Sequence, residues 1–193
     1  MIKAGLQQWD LGNLPKANAL FGRALERAES AGDVGAKALA HDGFGLVAED
    51  EGKLQIALAE YRSALEIWPA AGEPAEEART HCNLGQFLLV VGQTNEGLAS
   101  FRRALDLLKL ENNLEVRYEA FEGIGLALHD LKATRRALWA YGLALKAAST
   151  SEQRARIHSR LGTVYRDEKD LERAWKELNK AYSIAQRGDD DRW

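Results

Sequence analysis

Three of the four histidines, His41, His81 and His158, sit at matching points along the chain, and Cys82 directly follows His81. Imidazole and thiolate are the usual soft ligands for zinc and the usual pair for nucleophilic catalysis, so metal binding and thiol chemistry come first. The spacing fits neither. The chain has no HExxH sequence and no Cys/His pair at zinc-finger separation, and neighbouring residues on a helix project about 100° apart, which turns His81 away from Cys82. A second chemistry is offered by "HDGFGLVAEDEGK", His41 to Lys53, where Gly-x-Gly and then Gly-Lys resemble the parts of a phosphate-cradling loop. Such a loop needs free amides between two elements. No Gly-x-Ser-x-Gly and no catalytic carboxylate pair stands out, so no enzyme activity, cofactor or metal is expected.

The elements that carry these residues are set by a repeat. "AGLQQWDLGNLPKANALFGRAL", "GFGLVAEDEGKLQIALAEYRSAL", "NLGQFLLVVGQTNEGLASFRRAL", "GIGLALHDLKATRRALWAYGLAL" and "RLGTVYRDEKDLERAWKELNKAY" superimpose without gaps. Their shared glycines are Gly5, Gly45, Gly85, Gly125 and Gly162, spaced 40, 40, 40 and 37 residues apart. Twelve residues after each comes a small residue (Ala17, Ala57, Gly97, Ala137, Ala174). A large one then follows (Phe21, Tyr61, Phe101, Tyr141, Leu178), and an alanine closes the unit (Ala24, Ala64, Ala104, Ala144, Ala181). His41, His81 and His158 are one site of this repeat, together with Phe121, so their period reflects a repeated packing position.

Apolar residues recur at helical spacing and are broken midway by "GNLP", "EGKL", "GQT", "LKAT" or "EKDL", so each unit is two helices. The pattern predicts helices over 2–11, 14–30, 34–51, 54–68, 74–91, 94–111, 113–131, 134–148, 151–168 and 171–187. Asp33 is placed to cap one start, Pro74 suits a first turn, and Thr150 with Gln153 reads as a capping box. The "GFG" of Gly43 to Gly45 therefore lies inside a helix, with its amides engaged, and returns as "GIG" at Gly123 to Gly125. Gly45 and Gly125 are repeat glycines. Gly43 and Gly123 are extra, and are expected to thin the groove wall in alternate repeats.

With 26 basic and 29 acidic residues the net charge is −3, which gives no pull toward nucleic acid or an anionic membrane. The longest apolar run, "FLLVV", falls far short of the roughly 20 residues of a membrane span. One cysteine and no basic-then-apolar leader point to a cytoplasmic setting.

Stacked pairs bury what one pair cannot, which gives a single all-α array with repeats at about 1–30, 34–69, 74–111, 113–149 and 151–187. The chain resembles a tetratricopeptide repeat protein: Leu84, Gly85, Leu88, Gly92, Phe101 and Ala104 fall on that family's signature sites. It departs from the family at the usual tryptophan, replaced by His41, His81, Phe121 and His158, and in its period of 40 rather than about 34. In that respect it is similar to the extended repeats of partner-of-inscuteable adaptors, kinesin light chains and bacterial maltose-activator-type regulators. The resemblance implies a right-handed superhelix of five helix-turn-helix repeats that binds a protein or peptide partner without catalysis. The alternative it implies is a ligand-sensing or domain-coupling segment of a larger bacterial transcription regulator or signalling ATPase.

In such arrays the first helix of each unit lines the concave face, at three before, one after and four after the glycine. That stripe comprises Ile2, Leu6, Trp9; Asp42, Leu46, Glu49; Cys82, Gln86, Leu89; Glu122, Leu126, His129; and Ser159, Thr163, Arg166. Arg79, Glu119 and Arg156 lie a turn or so earlier. The expected groove is apolar along Leu6, Trp9, Leu46, Leu89 and Leu126, acidic at its centre and basic toward the last unit, which suits a peptide with apolar anchors and some basic residues. Trp9 is its expected anchor, unless it covers a missing neighbour. Trp68 is expected to be packed, and Trp139 and Trp175 to face the convex side. The short first helix, and a Gly-Asp linker in "QRGDDDRW", lead to the expectation of a segment of a longer chain, or of copies associating through uncapped ends.

Overall fold

The computed structural model describes residues 1–190; the last three residues of the "QRGDDDRW" stretch lie outside them. Ten α-helices form five helix-turn-helix repeats: α1 (Ile2–Asp10) with α2 (Leu14–Ala31), α3 (Val34–Asp50) with α4 (Leu54–Ala71), α5 (Pro74–Val90) with α6 (Thr94–Leu107), α7 (Leu114–Asp130) with α8 (Thr134–Ala147), and α9 (Ser151–Asp167) with α10 (Leu171–Asp190). No strand occurs among the described residues. The three caps fall where the sequence placed them. Asp33 accepts the Ala36 amide at 2.9 Å, Pro74 opens α5, and Thr150 and Gln153 close a capping box. Asn113 caps α7 in the same way through the Val116 amide.

Three boundaries differ from the sequence reading by three residues or more. α4 runs on past Pro69 to Ala71 because the residue before the proline, Trp68, is locked in the core and the helix stops only where Gly72 turns left-handed. α6 ends at Leu107 and tightens into a 3₁₀ turn over Leu108–Leu110. α10 continues to Asp190, so Gly188 lies in helix and not in a linker. The final 37-residue spacing has a local cause: α8 is 14 residues long where α2 and α4 are 18, and Ala148 goes straight into extended backbone.

Every turn within a repeat contains one residue with positive φ. Glycine fills it at Gly12, Gly52 and Gly92, but Lys132 and Lys169 hold φ of 57° and 62° in the last two repeats. The core is a row of fully buried large side chains from second helices, Phe21, Tyr61, Phe101 and Tyr141, each facing the repeat glycine of its own first helix. Phe21 and Phe101 also fill the hollows left by Gly43 and Gly123 in the next repeat. These extra glycines thus make room for a ring from behind; they do not thin the groove wall. At the other two junctions polar residues replace them: Asn83 donates to Asp42, and Arg160 pairs with Glu122 at 3.5 Å. Junctions 1–2 and 3–4 are accordingly packed more closely than 2–3 and 4–5.

Trp68 is fully buried, its indole N–H donating to Thr80 Oγ1 at 2.8 Å. Trp139 and Trp175 are exposed on second helices, at 66% and 70%. Leu178, the last member of the large-residue row, is 44% exposed and lies near Leu171, Trp175 and Tyr182 on the outer face of α10.

Candidate functional site

First helices of successive repeats touch one another from α1 to α7, while no comparable contact joins the second helices among the described residues. The stack therefore curves with the first helices inside. Along that inner face runs a groove of about 750 Å³ bounded by side chains of all five repeats.

Of the residues expected there, Leu6, Trp9, Asp42, Leu46, Arg79, Gln86, Glu119, Glu122 and Arg156 line it. Glu49, Leu89, Leu126, His129 and Arg166 do not. The reason is twist. Repeat 1 contributes Trp9, four residues after its glycine, whereas repeat 5 contributes Arg156, six before Gly162, a slide of about 15 Å along the helix at 1.5 Å per residue. A stripe at fixed register follows the groove at one end and leaves it at the other. The same slide brings in Leu39, Glu76, Glu115, Tyr118, Glu152 and Gln153, from the early turns of their helices, which fixed-register reading passes over.

The residues four after each glycine mostly tie the array together. Trp9 Nε1 donates to Asp50 Oδ2 at 2.7 Å, and three repeats on His129 Nε2 meets Asp167 Oδ2 at 3.2 Å; Asp50 and Asp167 occupy the same repeat site. Trp9 also packs on the Phe21 cluster, so its ring is only partly available. Glu49 accepts from the Tyr61 hydroxyl at 2.9 Å, and burial pushes its carboxyl up. It borders a smaller hollow with Trp9, Leu46 and Gln86. Leu89 packs beside Gly97, and Arg166 turns to Asp167 at 3.3 Å. Leu126 is half-buried beyond the groove's edge.

Two of the histidines pair within their own repeats. His41 Nδ1 meets Glu60 Oε2 at 2.7 Å and His158 Nδ1 meets Glu177 Oε2 at 2.6 Å, each across the two helices of one pair. The matching position for His81 is Ser100; its Nδ1 is buried without a partner, and burial, then Arg103, pull its pKa down to about 4. Cys82 is buried and its thiol is pushed up by desolvation, which leaves it unreactive. No set of three or more His, Cys, Asp or Glu side chains converges to hold a metal among the described residues.

The groove has two chemical halves. Ile2, Leu6, Trp9, Leu39 and Leu46 make an apolar end from repeats 1 and 2, and charged residues take over from Asp42 onward. At the centre Arg79 stands among three carboxylates, 3.6 Å from Glu76, 3.4 Å from Glu115 and 3.6 Å from Glu119. Burial disfavours its charge, but Glu119, Glu115 and Glu76 outweigh that and hold it firmly protonated. Glu119 is shifted upward by burial in spite of Arg79. Asp42 is 6% exposed and is pushed up to about 6 by desolvation, which Asn83, Thr80 and Arg79 only partly offset.

No curated protein matches this sequence. A tetratricopeptide repeat model matches residues 155–187, the last repeat. Among solved structures, the apo form of RapI superimposes with a TM-score of 0.83 at 18% identity over 98% of this chain and 70% of its own. BtubC (BKLC) from P. vanneervenii gives 0.78 at 20% identity over 90% of this chain and 74% of its own. YrrB, described as a TPR protein with an unusual peptide-binding site, gives 0.59 at 24% identity over 95% of this chain and 84% of its own. The chain has the tetratricopeptide-like helical-repeat fold. No helix of the described residues is long and apolar enough to cross a membrane.

Proposed function

We propose that the chain is a non-catalytic binding module that holds a segment of a protein partner along its concave groove. One observation carries this reading: a single hollow crosses all five repeats and is apolar at one end and charged from its centre onward. Extended or helical segments are recognised in this way, by apolar anchors in one part of a groove and polar contacts in another. The repeats behind the groove are locked by buried rings, so the surface is preorganised and ordering costs fall mainly on the ligand. The description of YrrB as peptide-binding, on a similar fold, supports the same reading, as does the resemblance to extended-repeat adaptors.

Gln86 is exposed at the middle of the groove and supports no core residue. Peptides selected from a random library on the wild-type protein should lose at least about tenfold in affinity, about 1.4 kcal/mol, to Gln86→Trp. Leu46→Ala should weaken them as well, while Trp139→Ala on the convex side should not. Affinities unmoved by Gln86→Trp would remove the groove from the account.

A further inference from the structure

Charge is distributed unevenly in this molecule. The whole chain carries a net −3, yet the groove lining holds seven carboxylates, Asp10, Asp42, Glu76, Glu115, Glu119, Glu122 and Glu152, against two guanidinium groups, Arg79 and Arg156. The excess gathers around Arg79, and through Glu76 it bears on Asp42. This side chain is 94% shielded, lines the groove, and accepts the Asn83 side-chain amide at Oδ2, 2.9 Å away, while its buried Oδ1 closes no hydrogen bond and the nearby Thr80 hydroxyl only partly offsets its burial. A buried acceptor left open is unfavourable by about 1 to 3 kcal/mol, more when charged. Arg79 relieves it only in part, because its three nearest acidic neighbours already share its charge at distances of 3.4 to 3.6 Å.

We propose that Asp42 and the carboxylates gathered around Arg79 form a subsite for a side-chain cation, the guanidinium or ammonium group of a basic residue in the bound segment. This deepens the groove reading and rests on it for the source of the cation. A basic side chain reaching in from the groove adds a donor at the Asp42 carboxylate and a second positive charge beside Glu76, Glu115 and Glu119, which share the single Arg79. The burial-raised pKa values of Asp42 and Glu119 belong to the same picture: Arg79 acts on both carboxylates but offsets only part of the effect of their burial. A metal ion does not fit, since it needs three or more ligands converging on one point, and no such set exists among the described residues. An elongated, multi-donor group suits carboxylates spread along a groove.

The test uses Nα-acetyl-arginine N-methylamide, its lysine counterpart and the neutral citrulline isostere, titrated into the full chain and followed by NMR at the Asn83 side-chain amide. The expected result is saturable binding of the arginine or lysine probe at least about tenfold tighter than citrulline, the effect of one charge-assisted hydrogen bond. That preference should vanish in Asp42→Asn, and shrink in Glu119→Gln, a half-buried position that keeps the fold if Asp42→Asn does not. Equal binding of the citrulline probe, or a charge preference that survives both variants, overturns the subsite. The two readings fail separately: library peptides that bind in the groove with no basic residue, equally well to Asp42→Asn, refute the subsite alone. Cation probes that bind at Asn83 while no library peptide is displaced by Gln86→Trp refute the peptide groove alone.

Discussion

The Phe21 ring lies so close over Gly43 that a Cβ there would stand 2.5 Å from Cε1, while Gly22, one residue along from the same phenylalanine, has nothing within 4 Å. The two glycines therefore respond oppositely to the same substitution. Gly43→Ala overpacks the junction of repeats 1 and 2 and should destabilise by about 1 to 3 kcal/mol. Gly22→Ala, and likewise Gly142→Ala, only removes the entropic penalty of glycine inside a helix and should stabilise by about 0.5 to 1 kcal/mol. Urea denaturation of the three variants reads both signs.

Lys132 and Lys169 hold the left-handed turn that glycine fills in the first three repeats. Replacing either by glycine should raise stability by roughly 1 kcal/mol, and Gly52→Ala should lower it by a similar amount. Side-chain contacts do not enter, since Gly52 faces open space. Thermal melting of the single variants is sufficient to check this.

Two groups shifted by burial titrate in opposite senses. Asp42 releases its proton at about 6 in the folded state against 3.8 ordinarily, so over that interval the native state binds the extra proton and stability falls as pH rises. His81 gains its proton at about 4 against 6.5 ordinarily, so the unfolded chain binds the extra proton and stability rises with pH. Over the shared window, from about 4 to 6, these contributions largely cancel. Asp42→Asn should expose the rising limb and be the more stable protein above pH 6, by up to about 3 kcal/mol. His81→Phe, the residue found at the same repeat site as Phe121, should expose the falling limb. Stability differences from wild type at pH 4, 5, 6 and 7 decide the matter.

Trp9 fastens the nine-residue α1 to repeat 2 through Asp50. Trp9→Phe keeps the ring against the Phe21 cluster and removes only the donor. The expected change is a loss of about 1 kcal/mol, concentrated in α1 amide protection by hydrogen exchange, with α5 to α8 unaffected.

Repeat number, helix pairing and three of the caps were legible in the sequence because each follows from spacing or from a local side chain. Groove membership was legible only in part. Leu6, Asp42, Leu46 and Gln86 follow from repeat register, but superhelical twist is a property of the stack and slides the groove away from Leu126, His129 and Arg166. Pairing across junctions was hidden for a similar reason: nothing local joins Trp9 to Asp50 or Asn83 to Asp42, which lie 41 residues apart. The extra glycines had a visible signal, since Gly43 and Gly123 each belong to the repeat that follows a phenylalanine, while repeats that follow Tyr61 and Tyr141 carry Asn83 and Arg160.

That pairing of ring type with the residue behind it makes eighty residues, not forty, the unit in which such a chain can change its length. Excising Gly43 to Glu122 would leave Phe21 facing Gly123, a junction of the kind already present, and duplicating the same block would regenerate every interface in order. Excising or copying forty residues would instead set a phenylalanine against asparagine or arginine, or a tyrosine against an open hollow. Internal duplication and shortened variants of this array should therefore be tolerated in even numbers of repeats.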